Sequence, residues 1–357
     1  MVGSRLQNAA ELLPDEADGA LITSSYGRQY LLHFHSTAGV LLLTRRKAMF
    51  FVDSRYIERA QKEIENCEVH LLTSASKQLP EAVQQLGIKH LVVESSYMTM
   101  REFSYYQKLF SGVELLSSNV FDTALLKMRS VKTPDELVAM KNAQKITDLA
   151  FAEICNYIRV GVTEKQIAAR LEYEMKCLGA DGFAFDTIVV SGKNSSMPHG
   201  IPTEKPVETG DFITMDFGAL KDGYCSDMTR TVAVGAVCEE QKRVYSTVLE
   251  AQKRALNAIA PGAVCNKIDA VARDYIDSAG YAGCFGHGLG HSLGIEIHES
   301  PAYNLSDQTK LLPGMVLSVE PGIYLPGKFG VRIEDVAVIT NDGYENLTHS
   351  PKELIEL

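Results

Sequence analysis

Two aspartates on either side of a turn are the first residues in this chain that could do chemistry. Asp216 lies in Phe212-Ile213-Thr214-Met215-Asp216-Phe217 and Asp227 in Tyr224-Cys225-Ser226-Asp227-Met228-Thr229, with Asp222-Gly223 between them. Asp-Gly flanked by β-type runs predicts a hairpin. An even-numbered loop puts both carboxylates on one face, opposite or diagonal across the strand pair. Two half-buried carboxylates that close repel each other, so they must share a proton or bind cations. Alone, the pair also fits a plain turn in which one carboxylate faces water.

The segment Gly286 to Glu299 carries His287, His291 and His298 among Gly286, Gly288, Gly290 and Gly294, a third of the chain's nine histidines. Glycine lets backbone approach a ligand closely, so such a trio points to a site. Glu320 ends the apolar run Met315-Val316-Leu317-Ser318-Val319, and Glu334 sits within Val331 to Ile339. Glutamate is depleted from strands and needs a partner when buried. Period two puts Arg332 and Glu334 on one strand face, so an edge-strand ion pair competes with any role for Glu334 in chemistry. Together, two Asp, two Glu and one His suit a bridged pair of divalent cations better than a single tetrahedral zinc. Two metals about 3.5–4 Å apart can hold a bridging water, lower its pKa toward roughly 7 and polarise a carbonyl. That is hydrolytic chemistry.

In order and local context, Asp216, Asp227, His291, Glu320 and Glu334 resemble the five metal ligands of the pita-bread metallopeptidases. That superfamily includes methionine aminopeptidase, aminopeptidase P, prolidase and creatinase. The matching contexts are Met-Asp-Phe-Gly, Ser-Asp-Met-Thr-Arg-Thr, His-Ser-Leu-Gly, Val-Glu-Pro-Gly-Ile-Tyr and Arg-Ile-Glu-Asp. Within the superfamily, the N-terminal α/β region, His287 four residues before His291, and Arg332 resemble the Xaa-Pro peptidases. All five ligand positions are intact, unlike creatinase. The resemblance implies two divalent ions, Mn²⁺ first, with Co²⁺, Zn²⁺ or Fe²⁺ fitting the same set. It implies catalytic roles for His199, His298 and Glu320, with Glu320 also a ligand and a proton shuttle, and substrate binding by His287 and Arg332. The activity implied is removal of N-terminal residues at Xaa-Pro bonds, aminopeptidase P-like, by attack of a metal-bridging water or hydroxide. The preference for aminopeptidase P rests on the lack of a further basic residue suited to a dipeptide carboxylate. Xaa-Pro dipeptidase (prolidase) is the alternative; methionine aminopeptidase and a non-enzymatic binding module rank lower. A homodimer and a proline-containing peptide or dipeptide substrate follow from the same resemblance.

The elements that must position these residues form two blocks. Residues 1–125 alternate short β-type runs (Ala20–Thr23, Val40–Leu43, Met49–Val52, Val69–Leu72, His90–Val93) with helical stretches, predicting an N-terminal α/β domain, which the resemblance implies is of creatinase type. Residues 126–357 predict an α+β domain, which the resemblance implies is the pita-bread catalytic domain. Its first helix opens at the capping sequence Thr133-Pro134-Asp135-Glu136, and its next at Thr163-Glu164-Lys165-Gln166. Along the first of these, Leu137, Met140, Gln144, Thr147, Ala150, Ile154 and Ile158 share a face whose polar members predict partial exposure. Further helices are predicted over Val244–Ala260 and Asn266–Ala279, and strands over Phe212–Ala219, Tyr224–Val234, Met315–Glu320 and Val331–Thr340.

The chain has 357 residues, 45% hydrophobic and 22% charged, with a net charge of −10. That is globular composition with no global pull toward nucleic acid or anionic membrane. Its longest aliphatic stretch is far short of the ~20 residues of a membrane helix. Seven scattered cysteines with no Cys-x-x-Cys pair, and no signal-peptide-like apolar core at the N-terminus, predict a reduced, cytoplasmic protein.

Overall fold

The computed structural model describes residues 2–357, and the chain divides into two compact units, residues 1–129 and 130–357. The division falls four residues past the expected 125/126 boundary, because the helix Val120–Ser130 carries the chain unbroken through position 125.

The first unit is built on a six-stranded mixed sheet. Its spatial order is Glu68–Leu71, Ala48–Val52, Val40–Thr44, Gly19–Ile22, His90–Val93, Glu114–Leu116. The expected strands are present. Leu21, Leu42, Phe51 and Leu91 belong to one apolar cluster, while Ile22, Leu41, Phe50 and Val92 are equally buried. Both faces are covered, which explains why these strands read as continuous apolar runs and do not alternate. A helix that the sequence did not predict, Ser25–Leu32, opens at Ser24, whose side chain accepts from the Gly27 amide.

The second unit places helices against antiparallel sheets. Helices Pro134–Tyr157 and Glu164–Cys177 start at the expected capping boxes, Thr133 with Glu136 and Thr163 with Gln166. They cover a three-stranded sheet ordered Met228–Ala233, Phe212–Phe217, Ile188–Ser191. Helices Glu239–Asn257 and Cys265–Ile276 pack with a five-stranded sheet ordered Glu299–Tyr303, Gly290–Ser292, Val316–Val319, Asp335–Ile339, Tyr344–Asn346. The first of this pair begins five residues before the expected Val244, where the Gln241 side chain accepts from the Cys238 amide. The second ends at Ile276 and not at Ala279, giving way to a wide turn through Gly280 at φ +94°. Among the described residues, no helix is long and apolar enough to cross a membrane.

Three strand expectations are corrected. Phe212–Ala219 and Tyr224–Val234 each break in two, at Gly218 and at Ser226-Asp227. Val331–Thr340 also breaks: Phe329–Arg332 pairs with Gly322–Leu325 in a separate hairpin, and Asp335–Ile339 joins the five-stranded sheet. Ile333 and Glu334 form the junction, so the period-two argument relating Arg332 to Glu334 does not apply.

A fourth correction concerns the first long helix. Gln144 and Thr147 are buried, not exposed. Thr147 Oγ1 lies 2.7 Å from Ser226 Oγ and accepts from the Ala219 amide, and Gln144 Oε1 accepts from the Asp227 amide. The polar positions of this helix satisfy backbone groups freed where the strands break.

Candidate metal centre

The hairpin carrying the two aspartates turns at Asp222 (φ +50°) and Gly223 (φ +79°), both left-handed as a two-residue turn requires. Lys221 pairs with Tyr224, Leu220 with Cys225, and beyond the break Phe217 pairs with Met228 and Asp216 with Thr229. That unbroken register sets Gly218 opposite Asp227, so the two aspartates are diagonal neighbours on one face, as expected. Gly218 is required here: a Cβ would sit 2.0 Å from the Ser226 carbonyl oxygen. Gly290 does the same for the next strand, where a Cβ would lie 2.0 Å from the Ser318 carbonyl oxygen. The His291 strand can therefore lie tight against the strand that ends beside Glu320.

All nine candidate residues line one cavity of about 660 Å³: Asp216, Asp227, His291, Glu320 and Glu334 with His199, His287, His298 and Arg332. Ligand-type atoms of Asp227, His291 and Glu334 lie within 4.8 Å of one another. Glu320 stands beside them, with Oε1 3.4 Å from His291 Nε2. Asp216 completes the group from the neighbouring strand.

The hydrogen bonds leave this group unfinished. Asp216 Oδ1, Asp227 Oδ1 and Glu334 Oε1 are buried without a hydrogen-bond partner, although the opposite oxygens of Asp216 and Glu334 are satisfied by Arg332 and Thr229 Oγ1. Ionised carboxylates accept only, and three bare oxygens in one buried spot are costly unless a cation meets them. Burial, then the charges of Glu334, Asp216 and Glu320, hold the Asp227 carboxyl well above the usual range. Burial, then Glu320 and Asp216, do the same for Glu334. Burial lifts Glu320 to about 7.

The imidazole is prepared for the same partner. His291 Nδ1 lies 3.1 Å from the Ser292 carbonyl oxygen, which can only accept, so Nδ1 carries the proton and Nε2 turns its lone pair to the carboxylates. Burial lowers the His291 pKa and keeps the ring neutral. A neutral imidazole and four carboxylates fit divalent cations; thiolates are not among them.

Around the group, the remaining candidates separate into two kinds. His199 and His298 are exposed to the cavity, and the His298 ring meets His291 edge-on at 4.4 Å between centroids. Arg332 and His287 are instead committed to protein partners. Arg332 donates Nε–H to Thr229 Oγ1, Nη1 to Tyr324 Oη and the Pro198 carbonyl, and Nη2 to Asp216 and the same carbonyl. All five of its N–H groups are thereby taken. His287 donates from Nδ1 to the Gly288 carbonyl, and Nε2 accepts from Tyr324 Oη at 3.0 Å. Burial, then Arg332, depresses His287 to about 4, so it is neutral. Every polar atom of the two side chains has a protein partner, and the bonds run from His287 through Tyr324 to Arg332 and on to Asp216.

Two members of the site were not singled out from the sequence. Tyr324 bridges His287 and Arg332, and Thr229 bridges Arg332 and Glu334. Tyr324 was visible only as part of Val-Glu-Pro-Gly-Ile-Tyr. Thr229 sits two residues after Asp227, and alternation along the strand expected over Tyr224–Val234 could have flagged it.

Comparison with known proteins places this arrangement in context. Residues 138–341 match the model for metallopeptidase family M24, and residues 5–131 the creatinase/prolidase N-terminal domain. An Xaa-Pro dipeptidase of Pyrococcus horikoshii is 38% identical over 340 residues, covering 95% of this chain and 94% of that protein. A solved structure of an Xaa-Pro dipeptidase from Bacillus anthracis superposes with TM-score 0.93 at 42% identity, covering 100% of this chain and 99% of that one. An X-Pro aminopeptidase from Thermotoga maritima superposes with TM-score 0.92 at 38% identity, covering 98% and 99%.

Proposed function

The chain belongs to metallopeptidase family M24, with a creatinase-type N-terminal domain, and from that premise we propose that it hydrolyses Xaa-Pro dipeptides. The observation that carries the reading is the convergence of Asp216, Asp227, His291, Glu320 and Glu334 around three buried carboxylate oxygens that no protein donor meets. Dipeptides take first place because the relatives from Pyrococcus and Bacillus bear the name Xaa-Pro dipeptidase. This reverses the preference for aminopeptidase P drawn from the sequence; the Thermotoga relative keeps that activity as the second reading.

In this proposal Asp216, Asp227, His291, Glu320 and Glu334 would together hold two divalent ions. Bound there, the ions would supply Lewis-acid polarisation of the scissile carbonyl and activation of water near neutral pH. Glu320 takes the proton of the attacking water and returns it to the proline nitrogen, which must be protonated to leave. His298 donates to the oxygen that gains charge, and His199 lies against the substrate amide. Arg332, Tyr324 and Thr229 keep the carboxylates oriented, which leaves each a free oxygen for the ions. Proline on the leaving side removes the amide N–H and fixes φ, so the site needs no acceptor there and recognises a ring by shape.

Parallel assays of Ala-Pro and Ala-Pro-Ala, with manganese, cobalt and zinc, test the reading. Cleavage of Ala-Pro alone supports the dipeptidase. Cleavage of Ala-Pro-Ala at its first bond, with Ala-Pro spared, supports the second reading. Cleavage of neither, in folded and metal-loaded protein, overturns both.

A further inference from the structure

Lys132 is buried near the metal centre and takes no part in the chemistry above. It and Glu299 form an ion pair of 3.1 Å in which the side chains are 1% and 4% exposed. Burying two charges costs several kcal/mol per ion before their attraction is counted, so the pair is weak as a device for stability alone.

Its surroundings assign it a position-setting task. Lys132 Nζ also donates to Ser292 Oγ at 3.3 Å, and Ser292 follows His291 directly. Ser292 Oγ in turn donates to the Val316 carbonyl, tying that point to the neighbouring strand. Glu299 follows His298 directly. Its second oxygen, Oε1, accepts from the Ile295 and Glu296 amides, so the carboxylate fills the inside of the 293–298 loop. A Cβ on Gly294 would come within 3.0 Å of both Glu299 oxygens, so the loop closes on that carboxylate with no room to spare. One ammonium group thus reaches the residues beside His291 and His298, at the two ends of the same loop.

We propose that Lys132 and Glu299 form a buried clamp that fixes the spacing of His298 from His291. They are positioning residues for the imidazole that meets the substrate carbonyl. The clamp rests on the Xaa-Pro peptidase reading only for its effect on turnover. Its effect on the two rings is independent of any substrate.

The test uses full-length protein with Lys132→Met, Glu299→Gln, and the double variant Lys132→Met/Glu299→Gln. Removing one charge leaves the other buried and unpaired, and either single variant can fail to fold. The double variant leaves no unpaired charge and is expected to fold, as its near-UV circular dichroism will show; a double variant that does not fold makes the pair a stability device and overturns the clamp. Imidazole ¹⁵N–¹H correlation spectra of metal-free protein are expected to show the His298 ring shifted or broadened in the double variant, with His70 and His90 of the first unit unchanged. Metal-loaded double variant is expected to keep KM within about threefold and lose kcat by at least about tenfold, the pattern of a misplaced reacting group. A folded double variant with the wild-type His298 signals overturns the clamp, as does one with wild-type kcat. If wild-type protein cleaves no Xaa-Pro substrate, the spectra still decide the clamp, and the two failures are told apart.

Discussion

Arg332 Nη2 donates to Asp216 Oδ2 across 2.6 Å, in an ion pair whose side chains are 3% and 14% exposed. Strand alternation in the sequence offered Glu334 as a competing partner, but the junction at Ile333-Glu334 separates it from the Arg332 strand. The guanidinium fixes one oxygen of Asp216 and leaves Oδ1 aimed into the cavity without a partner. Arg332→Met should therefore weaken manganese binding by about 10–100-fold and reduce kcat/KM at least as much. Isothermal titration of the folded variant checks this; unchanged affinity would show that Arg332 does not orient the ligand.

Tyr324 is the joint between His287 and Arg332. Tyr324→Phe removes one hydroxyl and both of its hydrogen bonds, leaving Arg332 Nη1 and His287 Nε2 without that partner. A destabilisation of about 1–3 kcal/mol and a drop of about tenfold in kcat/KM are expected. Denaturant unfolding and steady-state kinetics measure the two, and a variant that matches wild type in both would remove Tyr324 from the network.

How much of this was legible beforehand can be judged residue by residue. Asp216, Asp227, His291, Glu320 and Glu334 stood out because acidic residues in apolar strands and histidines among glycines are chemically conspicuous. Gln144, Thr147 and Thr229 did not, because uncharged polar side chains on a helix or strand look the same whether they face water or a buried backbone amide. The split of Val331–Thr340 was hidden for a similar reason. Both halves are apolar, and the change of sheet between them depends on partners distant in sequence. The helix Ser25–Leu32 was missed because its support, Glu94 accepting from the Thr23 and Ser24 amides, comes from some seventy residues away.

The charge carried by the centre should be visible in stability. Glu320 is raised to about 7, and Asp227 and Glu334 are raised well above the usual range by burial and mutual repulsion. Above about pH 4.5 these three groups then hold more protons in the folded, metal-free protein than in the unfolded chain. The stability these groups contribute is complete below that pH and is lost as pH rises through their folded pKa values. The buried histidines shift the other way and weaken the fold only below about pH 6.5. Between pH 6.5 and 8, the melting temperature of chelator-treated protein should therefore fall, and saturating manganese should abolish the fall by taking the place of protons. A flat or rising melting temperature in the metal-free protein would contradict the clustered, buried carboxylates.

Gly218→Ala tests the geometry of the break itself. The added methyl would meet the Ser226 carbonyl at 2.0 Å, so the strands must part next to Asp227. A loss of about 1–3 kcal/mol in stability is expected together with weakened metal binding. Wild-type stability and affinity would mean that the close approach at Gly218 is not needed to place Asp227.

The most direct measurement is titration of chelator-stripped protein with manganese, followed calorimetrically and by Ala-Pro hydrolysis in the same samples. Two ions per chain should bind, with hydrolysis returning as the sites fill, and Asp227→Asn should remain folded while losing both responses. Failure of the wild-type protein to bind any divalent ion, or full hydrolysis by Asp227→Asn, would contradict the account.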